Sequence, residues 1–150
     1  MTELEECLKE LDRLDLPNDS YMIIGRAAVI ANGVDIEFKK PLRVLAEPSV
    51  IDEMLTYNDF LYKVINFKGI LLVIDYMDNR ICFYQSLPFS PKISIYQWFR
   101  NSIIINGLSY LSGGYRNENL VDYYFDLYCY TNDNRYKEIA DKIIESRLNI

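Results

Sequence analysis

The sequence of 150 residues contains no histidine and only three cysteines, Cys7, Cys82 and Cys129. A structural zinc site takes about four Cys or His ligands, and no two of these cysteines form a CxxC pair, so this class of site is nearly excluded. Catalysis by a Ser-His or Cys-His pair is excluded outright, because it needs an imidazole. An odd number of widely spaced cysteines is typical of a reducing compartment, where each acts as a small buried apolar residue.

Long apolar runs and an excess of positive charge are missing as well. The longest apolar runs, such as residues 69–74, are far shorter than the ~20 residues of a membrane helix. Residues 1–14 are charged and amphipathic, unlike a signal peptide. With 16 Lys and Arg against 22 Asp and Glu, the net charge of −6 argues against general nucleic-acid binding. These features predict a soluble cytoplasmic protein that does not insert into membranes.

Four basic residues lie close together in the sequence in spite of the acidic balance. They are Arg26, Lys39, Lys40 and Arg43. They form either a local basic patch or scattered solvated charge, and the net negative charge of the chain favours the second interpretation.

The remaining pattern predicts a single α+β domain over residues 1–150. Thr2 and Glu5 have the spacing of a helix capping box, and apolar residues at helical spacing follow. Strands are predicted at about 20–24, 42–46, 70–77 and 80–87, and helices at about 2–14, 26–31, 49–55, 117–130 and 134–147. Residues 94–105 fit a short helix running into a strand, and residues 56–68 fit either a helix or a strand. We therefore expect a small mixed sheet flanked by helices, with a core at about 17–105 and a C-terminal helical hairpin at about 117–147.

Residues 16–25, which read Leu-Pro-Asn-Asp-Ser-Tyr-Met-Ile-Ile-Gly, lead into an alanine-rich helix pattern that ends at Gly33. This stretch resembles the opening of small prokaryotic nucleotidyltransferase-like proteins of the polymerase-β-like superfamily. Pro48 and the helix pattern after it follow as in that family. Residues 107–111, 120–130 and 134–144 are similar to the paired helices that close those proteins.

The resemblance implies a nucleotidyltransferase-like fold with a phosphate-binding glycine turn. It also implies a second strand with two alternating carboxylates, which point the same way because strand side chains repeat every two residues. In the family these carboxylates hold Mg²⁺ against a nucleoside triphosphate. Here Gly25 is kept, but Arg26 stands in place of the family's serine. Aligned on Pro48, the two carboxylate positions fall at Pro41 and Arg43, and neither residue can ligate a metal.

The main hypothesis is therefore a catalytically degenerate nucleotidyltransferase-fold protein, a pseudoenzyme that uses no metal or cofactor. An arginine suits a phosphate or carboxylate directly. Such a protein would act by binding a protein partner, a second copy of itself, or a nucleotide phosphate held by Gly25, Arg26 and Arg43.

A first alternative is an active, Mg²⁺-dependent nucleotidyltransferase. Asp35 and Glu37 have acid-x-acid spacing, and on a strand they would point the same way. With Asp75 they would then form a two-metal site. The competing interpretation of this pattern is a solvated charged connection, which is the commoner one for short charge patterns.

A second alternative is a structural or assembly protein. Tyr123, Tyr124, Tyr128 and Tyr130 lie at helical spacing near the carboxyl end. They either stack on bases or, as is commoner at this spacing, belong to the core or to an interface. As an interface they would make the protein a homodimer.

Overall fold

The computed structural model describes residues 1–56, 73–76, 79–85, 87 and 95–147, with the backbone alone at 73–76, 95 and 96. The helices are α1 (Glu3–Arg13), α2 (Gly25–Ala31), α3 (Pro48–Thr56), α4 (Ile95–Phe99), α5 (Glu118–Thr131) and α6 (Asn134–Ser146). The strands are β1 (Tyr21–Ile24), β2 (Leu42–Ala46), β3 (Val73–Tyr76), β4 (Ile81–Tyr84), β5 (Ser102–Ile105) and β6 (Leu108–Leu111). A 3-10 turn, Tyr115–Asn117, precedes α5.

The described strands form one six-stranded mixed sheet in the spatial order β3-β4-β2-β1-β6-β5. β1 pairs antiparallel with β2 and parallel with β6, and β2 pairs parallel with β4. The outer pairs, β3 with β4 and β5 with β6, are antiparallel. The predicted α+β fold with a mixed sheet and a C-terminal helical pair is confirmed.

β1 lies at the centre of this sheet, and all four of its residues are buried. Strand side chains alternate between the two faces. Tyr21 and Ile23 pack into the core on one face, whereas Met22 and Ile24 pack into the core on the other. A strand that is apolar throughout is thus buried on both sides, as its composition predicts.

Helices α1 and α3 cover the first face of the sheet. Thr2 caps α1, because its hydroxyl oxygen accepts a hydrogen bond from the backbone N–H of Glu5 at 3.1 Å. Cys7 and Leu11 of α1 and Ile51 of α3 then enter the same core as the side chains of β2. The predicted amphipathic helix at the amino end is confirmed.

The second face is covered by α5 and α6, which pack along each other. Asp133 caps α6 by accepting a hydrogen bond from the backbone N–H of Arg135 at 3.0 Å. Ile139 and Ile143 of α6 pack into this core with Leu120 and Leu127 of α5. The hairpin therefore closes one side of the sheet, next to the point where β1 runs into α2.

Two segments differ from the sequence-based expectations. Residues 107–111, which the family resemblance places with the closing helices, contain strand β6, so the sheet continues past the predicted core limit at residue 105. Residues 34–40, for which an exposed strand or an extended connection was expected, form a connection without a strand. The segment 56–68, where helix and strand were both open, lies outside the described residues after Thr56.

No helix in the described part of the chain is both long enough and apolar enough to cross a membrane.

Candidate anion-binding site

A pocket of about 290 Å³ opens at the end of β1, where the chain turns into α2. Its walls come from the start of α2, the connection 38–41, β2, α5 and α6. Cationic and aromatic side chains make up nine of the fifteen described lining residues. The cationic members are Arg26, Lys39, Lys40, Arg43 and Arg135, and the aromatic members are Phe38, Tyr123, Tyr124 and Tyr136.

Gly25 forms the turn into α2 and lies directly beside Arg43. Its φ of +71° is in the left-handed region that L side chains avoid. A Cβ atom at this position would lie 3.3 Å from Cδ of Arg43. Because Ile24 pairs with Arg43 across the β1–β2 ladder, the absence of a side chain at Gly25 lets the arginine lie against the turn.

Arg43 is the charged centre of the pocket. It lies on β2 on the same face as Leu45, and its guanidinium is exposed to the cavity. Nη1 of Arg43 donates a hydrogen bond to the phenolic oxygen of Tyr84 on β4, and the guanidinium carbon lies 5.8 Å from the centroid of the Tyr84 ring. Desolvation in the pocket is the largest single influence on the pKa of Arg43 and lowers it, but Tyr84, Tyr123, Tyr136 and Cys82 together raise it more, so the pKa stays above its ordinary value and the group stays charged.

Arg26 links the first turn of α2 to the segment between α2 and β2, which carries Lys39 and Lys40. Nη1 of Arg26 donates a hydrogen bond to the backbone carbonyl of Glu37 at 2.9 Å. Farther along, the backbone N–H of Lys40 donates to Oε1 of Glu3 at 3.2 Å. The connection is thus fixed at both points, and Lys39 and Lys40 lie exposed along the rim of the pocket.

Arg135 differs from the other cations because it has a carboxylate partner. Nη2 of Arg135 lies 2.6 Å from Oδ2 of Asp133, and Nε donates to both carboxylate oxygens at 3.1 Å. Hydrogen bonds from Arg135 hold the pKa of Asp133 below its ordinary value. The charge of Arg135 is therefore largely compensated within the chain.

Buried tyrosines form the floor of the pocket. Tyr123 and Tyr124 are 3% and 2% exposed, and their rings meet edge to face at 5.0 Å. Tyr136 lies beside Tyr124, with 6.4 Å between ring centroids. Burial raises the pKa of Tyr84, Tyr123 and Tyr124 above the ordinary tyrosine value. These phenols are therefore neutral at physiological pH and do not compensate the neighbouring cations.

The charge of the pocket is opposite to that of the chain as a whole. Five cationic side chains line it, and none of its described lining residues is Asp or Glu, although the net charge of the protein is −6. A concave site with one sign of charge concentrates oppositely charged ligands. The described lining offers neither an imidazole nor a carboxylate, and its positive charge is suited to an anion.

The residues predicted to bind a nucleotide come together in this pocket. Gly25, Arg26 and Arg43 all line it, and Lys39 and Lys40, the other members of the suggested basic patch, lie at its rim. The four basic side chains thus form a local patch rather than scattered charge.

The residues of the predicted metal site do not come together in the same way. Asp35 and Glu37 are exposed on the connection between α2 and β2 and lie outside the described lining of the pocket. The backbone of Asp75 pairs with Cys82, which pairs with Arg43, so Asp75 lies two strands away from Arg43. Among the described residues there is no group of three or more Cys, Asp or Glu side chains placed to hold a metal ion.

The four tyrosines near the carboxyl end differ in how deeply they are buried. Tyr123 and Tyr124 lie in the core beneath the sheet, whereas Tyr128 and Tyr130 are half-buried. The inward pair cannot form a dimer surface, and of the four tyrosines only these two line the pocket.

Sequence reasoning missed Arg135 and Tyr136. Both belong to the first turn of α6, and only the packing of the α5–α6 hairpin places them opposite the turn at Gly25. No local pattern marks them, because their role depends on a contact more than a hundred residues along the chain.

Comparisons with protein-family models, with curated proteins and with solved structures return no match.

Proposed function

We propose that the protein binds the phosphate groups of a nucleotide or a similar phosphorylated ligand in this pocket, and that it does so without catalysing nucleotide transfer. The observation that carries the proposal is the set of cations around Gly25, with no carboxylate among the described lining residues. Arg26 and Arg43 hydrogen-bond to neutral oxygens, so their charges are available to an anion.

The type of cation supports phosphate as the bound group. Guanidinium groups present several N–H donors in a fixed plane and match phosphate oxygens in a bidentate manner. Arg26 and Arg43 enter the pocket from α2 and β2, so a phosphate between them would be contacted from two sides. Lys39 and Lys40 add two strongly hydrated charges at the rim.

The resemblance to nucleotidyltransferases supports the same proposal. The phosphate-binding turn of that family corresponds to Gly25 here, and the two carboxylate positions of the family correspond to Pro41 and Arg43. With β2 at Leu42–Ala46, Arg43 lies on the strand and beside the turn. A site of that ancestry with a guanidinium in place of a metal-binding carboxylate would bind phosphate and lack transfer activity.

Titration calorimetry with adenosine diphosphate in the presence of EDTA tests the proposal. We expect saturable binding by the wild type. Arg43→Gln should weaken binding by about tenfold or more, because a charge-assisted hydrogen bond contributes about 1.5–3 kcal/mol. Lys142→Gln, which removes an exposed charge of α6 outside the described pocket lining, is the matched control and should bind as the wild type does.

Two results would contradict the proposal. One is the absence of saturable binding by a folded wild-type protein. The other is Mg²⁺-dependent transfer of a labelled nucleotide that Asp35→Ala abolishes, since that would establish the catalytic alternative.

We also propose a reducing, cytoplasmic location. Cys7, Cys82 and Cys129 form no disulfide, and the first two are buried as small apolar side chains. Fractionation that places the native protein outside the cytoplasm would contradict this proposal.

A further inference from the structure

We infer that the pocket takes a diphosphate or longer polyphosphate group in its metal-free form, and that Mg²⁺ competes with the protein for that group. This inference rests on the proposed phosphate-binding function and specifies the form in which the ligand is bound. It is carried by the number of uncompensated cations and by the chemistry of the lining.

The charge count is the first step. Five cations line the pocket, and Asp133 compensates one of them, Arg135, at 2.6 Å. Among the described residues the other ion pairs join Glu10 to Arg13 and Arg80, so none of them involves the remaining four cations. A single phosphate carries about −1.5 to −2 charges near neutral pH and would leave about half of this charge unpaired. A second phosphoryl group would bring the negative charge of the ligand close to the positive charge of the four cations.

The position of the cations is the second step. Arg26 and Arg43 flank the glycine turn, whereas Lys39 and Lys40 lie along the connection at the rim. A single phosphate offers four oxygens to these four cations, whereas a chain of two or more phosphoryl groups offers more oxygens and extends farther along the pocket lining. The cavity of about 290 Å³ lies just below the range for small-molecule sites, roughly 300–1,000 Å³, a size that suits a compact anion.

The competition with Mg²⁺ follows from the ligand chemistry. Proteins that bind Mg²⁺ with phosphates supply one or two carboxylates to the ion. The described lining of this pocket supplies cations and neutral phenols instead. A Mg²⁺-diphosphate complex has less negative charge than the free anion and would bring a divalent cation next to Arg43, so both effects weaken its attraction to the site.

The test compares three anions under two metal conditions. Calorimetry with inorganic phosphate, pyrophosphate and tripolyphosphate is done in EDTA and again in excess Mg²⁺ at matched ionic strength. We expect pyrophosphate to bind at least tenfold more tightly than phosphate in EDTA, and excess Mg²⁺ to weaken pyrophosphate binding at least tenfold. Sulfate, which chelates Mg²⁺ far less strongly, is the control anion, and its weaker binding should not change with the metal.

The outcomes separate this inference from the proposed function. If Mg²⁺ strengthens pyrophosphate binding, or if phosphate binds as tightly as pyrophosphate, the inference is wrong while phosphate binding stands. If none of the anions and no adenosine diphosphate bind, the proposed function fails as well. Lys39→Gln combined with Lys40→Gln adds an independent check, since it should reduce pyrophosphate binding more than phosphate binding. An equal loss for both anions would contradict the extended contact.

Discussion

Gly25 and Arg43 form a single structural unit, because the position that a Cβ of Gly25 would occupy lies 3.3 Å from Cδ of Arg43. The two residues belong to different elements, the turn into α2 and strand β2, and the pairing of Ile24 with Arg43 fixes them side by side. Glycine meets two requirements here, a positive φ and room for the arginine. The position of Arg43 in the pocket therefore depends on this contact.

Gly25→Ala is expected to destabilise the fold and to weaken anion binding. A non-glycine residue in the left-handed region costs roughly 1–2 kcal/mol, and displacement of Arg43 adds to this cost. Urea unfolding and pyrophosphate calorimetry measure the two effects. Gly33→Ala is the matched control, since Gly33 has a φ of +88° but nothing within 4 Å of an added Cβ. It should share the loss of stability and keep the affinity. Equal affinities of the two variants would contradict the role of the contact.

Tyr84→Phe tests whether the phenolic oxygen orients Arg43. The substitution removes the hydrogen-bond acceptor and keeps the ring against which the guanidinium lies. A hydrogen bond that involves a charged group contributes about 1.5–3 kcal/mol, and with part of this lost from the orientation of Arg43, pyrophosphate affinity should fall by about threefold to tenfold. The exposed Tyr115, which is outside the described pocket lining, gives the control Tyr115→Phe with unchanged affinity. An unchanged affinity for Tyr84→Phe would mean that Arg43 needs no such partner.

Asp133→Asn is expected to strengthen anion binding. The carboxylate of Asp133 compensates Arg135, and the neutral amide would leave the guanidinium free for a ligand in the pocket. Asn is also a good helix N-cap, so α6 should keep its first turn. For an exposed ion pair we expect a gain of about threefold in pyrophosphate affinity. Asp141→Asn, an exposed charge outside the described pocket lining, is the control, and an equal gain there would indicate a general charge effect.

The local elements of the fold could be predicted because their signals are local. The Thr2 cap and the apolar spacing define α1, and two strand patterns around Asp78-Asn79 define the antiparallel pair β3 and β4. Residues 108–111 illustrate the limit of such prediction. Leu108, Tyr110 and Leu111 suit either a helix or a strand, and pairing with β1 and β5 decides in favour of the strand.

The candidate site could be predicted only in part, for the same reason. Gly25, Arg26 and Arg43 are predicted from the resemblance to nucleotidyltransferases, which draws attention to the glycine turn and the strand that follows it. Arg135 is not, because it reaches the pocket only through the packing of α5 on α6. The acid-x-acid spacing of Asp35 and Glu37 suggests a strand, but no strand forms there, so spacing alone does not indicate a shared direction.

The buried tyrosines predict a loss of stability at alkaline pH. Burial raises the pKa of Tyr124, so above about pH 10 the unfolded chain loses a proton that the folded chain keeps. The unfolded state then binds fewer protons, and the free energy of unfolding falls as the pH rises. This contribution to stability is complete below about pH 10 and is lost as the pH rises through the folded-state pKa. Urea unfolding from pH 8 upward should show a shallower decline for Tyr124→Phe, and identical profiles would contradict the assignment.

The double variant Asp35→Asn, Glu37→Gln separates phosphate binding from the catalytic alternative. Both carboxylates are exposed and lie outside the described pocket lining, so their neutralisation should change adenosine diphosphate affinity in EDTA by no more than about twofold. Arg43→Gln should lose binding in the same assay, which shows that the measurement responds to the pocket. With Mg²⁺ and a labelled nucleoside triphosphate, neither the wild type nor the double variant should transfer the label. Transfer by the wild type that disappears in the double variant would mean that the two acids hold a metal ion after all, and the pocket around Arg43 would then be part of an enzyme.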